Sequence, residues 1–161
     1  MYEFHKDKER YFNYQYKTAQ KFIIPFLDGE LNESKPRNIL EIGCAEAGVL
    51  KAFLEHGDQC FGIELMQGRI ELAKKFHKEA LDNGQIKFLN KNVYDINIEE
   101  DIGHKFDLII LKDVIEHIPN QEKIIPVIKS FLNPGGKIFF GFPAKSLFGC
   151  KTSILVCHRN Q

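Results

Sequence analysis

Five short apolar runs, each followed by a turn or a stretch of helical spacing, constrain this chain more than any other feature. They fall at residues 38–42 (NILEI), 60–65 (CFGIEL), 86–89 (IKFL), 106–111 (FDLIIL) and 137–142 (KIFFGF). Each has the length of a strand, and the nearly continuous apolar run at 106–111 suits a strand covered on both faces. Between them, 49–56 reads as a helix stopped by Gly57, and 67–81 carries Ile70, Leu72, Ala73, Phe76 and Ala80 at helical spacing before Asn83-Gly84. Residues 121–132 read as a third helix that Pro126 kinks or shortens, and Asn133-Pro134-Gly135-Gly136 is a turn. Strands alternating with helices predict parallel pairing through right-handed crossovers, hence an α/β, doubly wound, mostly parallel sheet.

The flanks complete the plan. Residues 11–27 predict a helix rich in aromatics, among them Tyr11, Tyr14 and Tyr16, and 28–37 form a loop. A strand stub at 154–157 or a loosely ordered tail is expected at the other end. With 161 residues, one domain over 1–161 is expected. It consists of a helical cap and loop (1–37), a ligand-binding core (38–143) and a tail (144–161). Lys+Arg and Asp+Glu both number 22, so no basic surplus draws the chain to nucleic acid. No apolar run approaches the roughly 20 residues that cross a bilayer. The charged first ten residues lack a signal peptide's apolar stretch. A cytoplasmic protein without a membrane partner is expected. Cys44, Cys60, Cys150 and Cys157 are scattered without a CxxC pair, and small buried thiols are the expectation.

In an open parallel sheet, ligands bind outside the carboxyl ends of the strands, near the switch in strand order. There the chain reads Glu41-Ile42-Gly43-Cys44-Ala45-Glu46-Ala47-Gly48. Small residues allow a tight turn and close approach of backbone to a ligand, and the next helix offers unpaired N–H groups. Glu64 ends the second run 21 residues after Gly43, where a carboxylate accepts from both hydroxyls of a ribose. A dinucleotide and a sulfonium nucleoside both fit this geometry. A pyrophosphate should avoid Glu46, and no second domain is left for a hydride acceptor. A positive sulfonium suits Glu41, Glu46 and Glu64.

Four blocks in series resemble the class I S-adenosylmethionine-dependent methyltransferases: ILEIGCAEAGVL (39–50), FGIEL (61–65), FDLIILKDVIEHI (106–118) and LNPGGKIFFGFP (132–143). The subgroup they are most similar to is the small-molecule methyltransferases that include the ubiquinone-pathway O-methyltransferases. The resemblance implies a Rossmann-like fold, S-adenosyl-L-methionine as cofactor and a small-molecule methyl acceptor as partner. It implies that Gly43, Ala45 and Ala47 line the methionine moiety, with Glu41 ordering the turn from beneath and Glu64 holding the ribose. Asn92, with the backbone N–H of Val93, would meet the adenine, Asp95 being the other candidate. Lys112 and Asp113 would lie where cofactor meets acceptor. Ala45 and Ala47 depart from the family by standing where glycines are usual. The 18 residues after Pro143 are too few for the family's further helix and two strands. A sheet shortened at its C-terminal edge is therefore expected, with a second copy completing it as a possible homodimer.

Methyl transfer needs alignment and, for a protonated acceptor, a base. His117 is the candidate base. On a helix, Asp113 and His117 would share a face at i and i+4, and the pairing would raise the proton affinity of the imidazole. Asp113, Glu116 and His117 could instead hold a divalent cation, as the resemblance to quinone-pathway enzymes suggests, but no metal is assigned. The N-terminal helix could cover the cleft, with Tyr14 or Tyr16 touching the ligand. Two other readings are a methyltransferase-like module without catalysis and a dinucleotide-dependent oxidoreductase.

Overall fold

A computed structural model describes residues 7–27, 29–31, 36–146 and 149–158, with side chains through residue 142. The sheet is built from the predicted runs. They form β1 (Asn38–Ile42), β2 (Gln59–Ile63), β3 (Ile86–Leu89), β4 (Phe106–Lys112) and β5 (Leu132–Ser146). These five pair in parallel, and β6 (Gly149–His158) joins β5 antiparallel. The order is β3-β2-β1-β4-β5-β6, so the connections reverse direction between β1 and β4.

Both faces are covered, which explains the unbroken apolar runs. Ile39, Leu108 and Ile110 face one core with Val49, Leu50 and Phe53 of α3 (Gly48–Glu55). Leu40, Ile42, Ile109 and Leu111 face the other with Ile124 and Ile128 of α6 (Gln121–Ser130). The period of two along each strand sends neighbours to opposite layers. Among the described residues, no helix is long and apolar enough to cross a membrane.

Three expectations need adjustment. The predicted helix at 67–81 breaks at His77 into α4 (Gln67–Phe76) and α5 (Lys78–Asp82). His77 is buried there, and its Nε2 donates to the carbonyl of Ala47 at 3.0 Å, so the ring has a tertiary task that an unbroken helix would deny it. The aromatic N-terminal helix is α1 (Lys8–Thr18), then a π-helical turn (Ala19–Ile23) and α2 (Ile24–Leu27). At the far edge, β6 pairs with β5 over ten residues, well beyond the stub at 154–157. The side chains of Cys150 and Cys157 lie outside the description, whereas Cys44 and Cys60 are buried free thiols as expected.

The first helix lies directly on the start of α3. A Cβ on Gly48 would stand 2.3 Å from the carbonyl oxygen of Phe12 and 2.8 Å from Cβ of Gln15, so only glycine admits this approach. Phe12 also stacks on Phe76 with centroids 4.4 Å apart. This packing sets α1 beside the turn that follows β1.

Candidate functional site

A cavity of about 360 Å³ opens at the carboxyl ends of β1, β2 and β4, at the reversal of strand order. Its floor is the turn after β1. Gly43 is left-handed (φ 71°), and a Cβ there would lie 2.4 Å from Cγ2 of Val114. Ala45 (φ 51°) and Ala47 (φ 61°) hold the same unfavourable conformation with a methyl attached, at roughly 1–2 kcal/mol each. The chain stays there because the turn is tied down: the N–H groups of Gly43 and Cys44 both donate to Ile63 O, at 2.8 and 3.1 Å.

Glu64 follows β2 on the cavity wall. Its Oε2 accepts from the N–H of Ala45 and its Oε1 from the N–H of Met66, each at 3.0 Å. Two backbone donors thus fix the carboxylate, and each oxygen keeps a lone pair for a ligand hydroxyl. Asn90 braces this corner, its Nδ2 donating to the carbonyls of Glu64 and Leu65 at 2.8 Å. Asn92 and Val93 line the cavity after β3, while Asp95 does not. The side-chain carbonyl of Asn92 already accepts from Tyr94 N at 3.1 Å, so one lone pair of that oxygen and the amide N–H groups are left for a ligand.

Beyond β4, Lys112, Asp113 and His117 reach the same cavity. Lys112 is buried and forms an ion pair with Asp113. The expected helix joining Asp113 to His117 is not formed. Asp113 is left-handed (φ 53°), its N–H donates to Gly141 O at 2.7 Å, and a short 3₁₀ turn, Ile115–His117, follows. The pairing of β4 with β5 claims the backbone of Asp113 and Lys112 claims its carboxylate, so no i, i+4 pair forms. Among the described residues, no three His, Cys, Asp or Glu side chains converge as a metal site, the Asp113, Glu116 and His117 set included.

Glu41 and Ala47 do not line the cavity. Glu41 is buried beneath the turn, its Oε2 has no partner, and burial pushes its carboxyl well above the usual range despite the nearby Lys112. Glu46 also differs from expectation. It is fully buried and faces α1, with Oε1 3.2 Å from Nζ of Lys8. That contact pairs the charges without hydrogen-bond alignment. Glu46 therefore bears neither on a sulfonium nor against a pyrophosphate.

The N-terminal helix does reach the cavity, through Tyr11 rather than Tyr14 or Tyr16. Tyr16 donates to Oε2 of Glu55 at 2.5 Å, and Tyr14 is half exposed, its ring 5.9 Å from Nζ of Lys112. Burial, then the carboxylates of Asp113 and Glu41, push the Tyr11 hydroxyl up to about 12. Sequence reasoning also missed Arg69, a cavity residue in the first turn of α4. Its place just after the strand-end carboxylate was the available signal.

The methyltransferase domain family matches residues 11–156. Ubiquinone biosynthesis O-methyltransferase of Coxiella burnetii is 27% identical over 106 residues, covering 66% of this chain and 43% of that protein. The protein of the same name from Pasteurella multocida is 27% identical over 123 residues, covering 73% and 50%. The chain thus spans about half the length of the curated relatives it matches. Among solved structures, PKMT2 from Rickettsia typhi in complex with AdoHcy is similar, with TM-score 0.63 and 26% identity over 79% of this chain and 26% of that one. An S-adenosylmethionine-dependent methyltransferase from Clostridium acetobutylicum shares the fold at TM-score 0.66 and 19% identity, covering 80% of this chain and 51% of that one.

Proposed function

The chain belongs to the methyltransferase domain family, and from that premise we propose that it binds S-adenosyl-L-methionine and transfers its methyl group to a small-molecule acceptor. The observation that carries this reading is Glu64, an acceptor-only carboxylate fixed on the wall of an open cavity at the strand-order reversal. The residues present fit the cofactor chemically. Glu64 receives the ribose hydroxyls, Asn92 and Val93 border the adenine, and Gly43 and Ala45 form the floor beneath the methionine moiety. Glu41 and Ala47 act from below by shaping that turn.

When bound, the cofactor supplies a methyl carbon made electrophilic by its sulfonium. The walls hold the acceptor in line with it, an alignment worth roughly 7–11 kcal/mol. His117, on the cavity wall, would take the proton that the acceptor oxygen or nitrogen loses on methylation, the cofactor's sulfonium leaving as a neutral thioether. Asp113 keeps Lys112 neutralised beside the site, which limits repulsion of the sulfonium.

The whole chain acts as one domain in this reading. It works in the cytoplasm on a small molecule, with no nucleic-acid partner, in keeping with its balanced charge. The outer edge of β6 pairs with a second copy, and light scattering is expected to give a dimer mass; a monomer at high concentration removes that element.

Calorimetric titration with S-adenosylhomocysteine and with NAD tests the cofactor. Binding of the first and not of the second is expected, and the reverse defeats the proposal. Release of S-adenosylhomocysteine with some member of a panel of catechols, phenols and amines is the expected turnover. Tight binding with no turnover across the panel would reduce the chain to a binding module.

A further inference from the structure

The N-terminal helical segment turns one side to the protein and the other to solvent. Phe12, Gln15, Ala19, Ile23 and Leu27 form its buried side, at spacings of three and four. On the side turned away from the core, Arg10, Tyr14, Lys17, Lys21, Phe22 and Phe26 are exposed along α1, the π-helical turn and α2. Phe22 is 54% exposed and Phe26, one turn on, 47%. The other large apolar side chains exposed among the described residues are Tyr14, on the same segment, and Leu65 and Met66, at the cavity. Neighbouring exposed aromatics make a patch, whereas single ones are ordinary. Nζ of Lys21 stands 5.4 Å over the Phe22 ring. Lys17 and Lys21 have no ion-pair partner among the described residues. The carboxylates around them lie at the ends or are engaged elsewhere. Asp7 caps the start of α1, Glu9 is in its first turn, Glu55 holds Tyr16 and Lys51, and Glu30 pairs with Lys137.

We propose that this face docks the protein on an anionic lipid surface, with Phe22 and Phe26 set among the headgroups and Lys17 and Lys21 against their negative charges. Basic residues beside aromatics on the outward side of a helix suit the boundary between water and lipid. The whole chain is neutral, so the attraction is local. Residues 8–27 hold Lys8, Arg10, Lys17 and Lys21 against Glu9, and Lys8 is turned inward to Glu46. A second copy set on this face by a two-fold axis would bring the lysines against their like. The face is the outside of a helix and not a groove, which favours a broad charged surface over an inserted peptide. Lying on a bilayer demands no spanning run, so the lack of one in the sequence does not bear on this surface. The same helix sends Tyr11 into the cavity, so docking keeps the cavity close to the lipid.

The test is co-sedimentation of the whole chain with vesicles of phosphatidylcholine alone and of equimolar phosphatidylcholine and phosphatidylserine. Binding to the mixed vesicles that weakens as salt is raised is expected, with little binding to the neutral ones. Lys17→Glu/Lys21→Glu and, separately, Phe22→Ser/Phe26→Ser should each weaken it about tenfold or more. Lys123→Glu/Lys129→Glu changes net charge equally, but on α6 in the opposite layer, and should leave binding unchanged. The chain has no tryptophan, so Phe22→Trp is a lone reporter whose emission should shift to the blue on the mixed vesicles. All these side chains are exposed. Circular dichroism and the affinity for S-adenosylhomocysteine should therefore stay as in wild type, which separates the lipid surface from the cofactor site. Wild type that stays in solution with the mixed vesicles overturns the proposal, as does an equal loss in the α6 variant. Binding to polyglutamate as tight as to the vesicles, with Phe22→Ser/Phe26→Ser unaffected, overturns it in favour of an acidic protein partner.

Discussion

At the N-terminal ends of the strands polar side chains find one another, whereas at the C-terminal ends several do not. Arg37, just before β1, clamps Asp58, just before β2, through Nε at 2.8 Å and Nη2 at 2.7 Å, and both are buried. The guanidinium also donates to Nδ1 of His56 at 3.2 Å. Gln85 donates to the carbonyls of Leu54 and Asp58, and Asp107 ties Asn38 N to the side chain of Asn133. At the opposite end Glu41 Oε2 and Arg69 Nε lack partners, and Ala45, Ala47 and Asp113 sit at positive φ. One sheet therefore carries a stitched end and a strained end. Local rules are broken where the cavity opens, and kept at the end away from it.

The largest expected effect tests the stitched end. Asp58→Ala removes the carboxylate that neutralises the buried Arg37, and urea denaturation should show a loss of about 3–5 kcal/mol. The folded fraction should keep its affinity for S-adenosylhomocysteine; wild-type stability would erase the distinction between the ends.

Next comes His77, which links α4 to the strained turn. Burial pushes its imidazole down to about 4, and the hydrogen bond to Ala47 O only partly opposes this. The unfolded chain, with its His near 6.5, binds the proton more readily, so the stability due to neutral His77 is complete above about 6.5 and declines as pH falls towards 4. That slope amounts to up to about 3 kcal/mol, and His77→Leu should flatten it in melts recorded across this window. A slope identical in the variant would detach His77 from the effect.

Third, Glu64→Ala should weaken S-adenosylhomocysteine by about ten- to a hundredfold, since charge-assisted hydrogen bonds contribute roughly 1.5–3 kcal/mol. Unchanged affinity removes the ribose assignment.

The smallest effect addresses strain itself. Ala47→Gly relieves a left-handed alanine and should raise stability by up to about 1 kcal/mol in thermal melts. Ala52→Gly, in the middle of α3, should cost about as much. Equal signs for the two would show that the turn is not strained.

Much of this was legible in the sequence. The five parallel strands matched their apolar runs to within a residue or two for most ends, because burial on both faces writes itself as continuous hydrophobicity. Glu64 was legible from its distance past Gly43. The aromatic helix was legible, but not which tyrosine enters the cavity. Tyr11, Tyr14 and Tyr16 all lie within six residues, and only the packing of α1 on Gly48 selects Tyr11. The separation of Asp113 from His117 was illegible because aspartate tolerates both helical and left-handed backbone, and the bond from its N–H to Gly141 O makes the choice. Glu46 read as a ligand-facing charge, yet Lys8, 38 residues away, holds it on the other side of the turn.

By itself the amino-acid order determined the alternation of strands and helices, the parallel sheet they imply and the tight turn that floors the cavity, since periodicity and small residues act over a few positions. Only the tertiary structure decided which charges are paired and which are left waiting. Pairing depends on side chains brought together from distant segments, as Arg37 with Asp58 and Lys8 with Glu46 show.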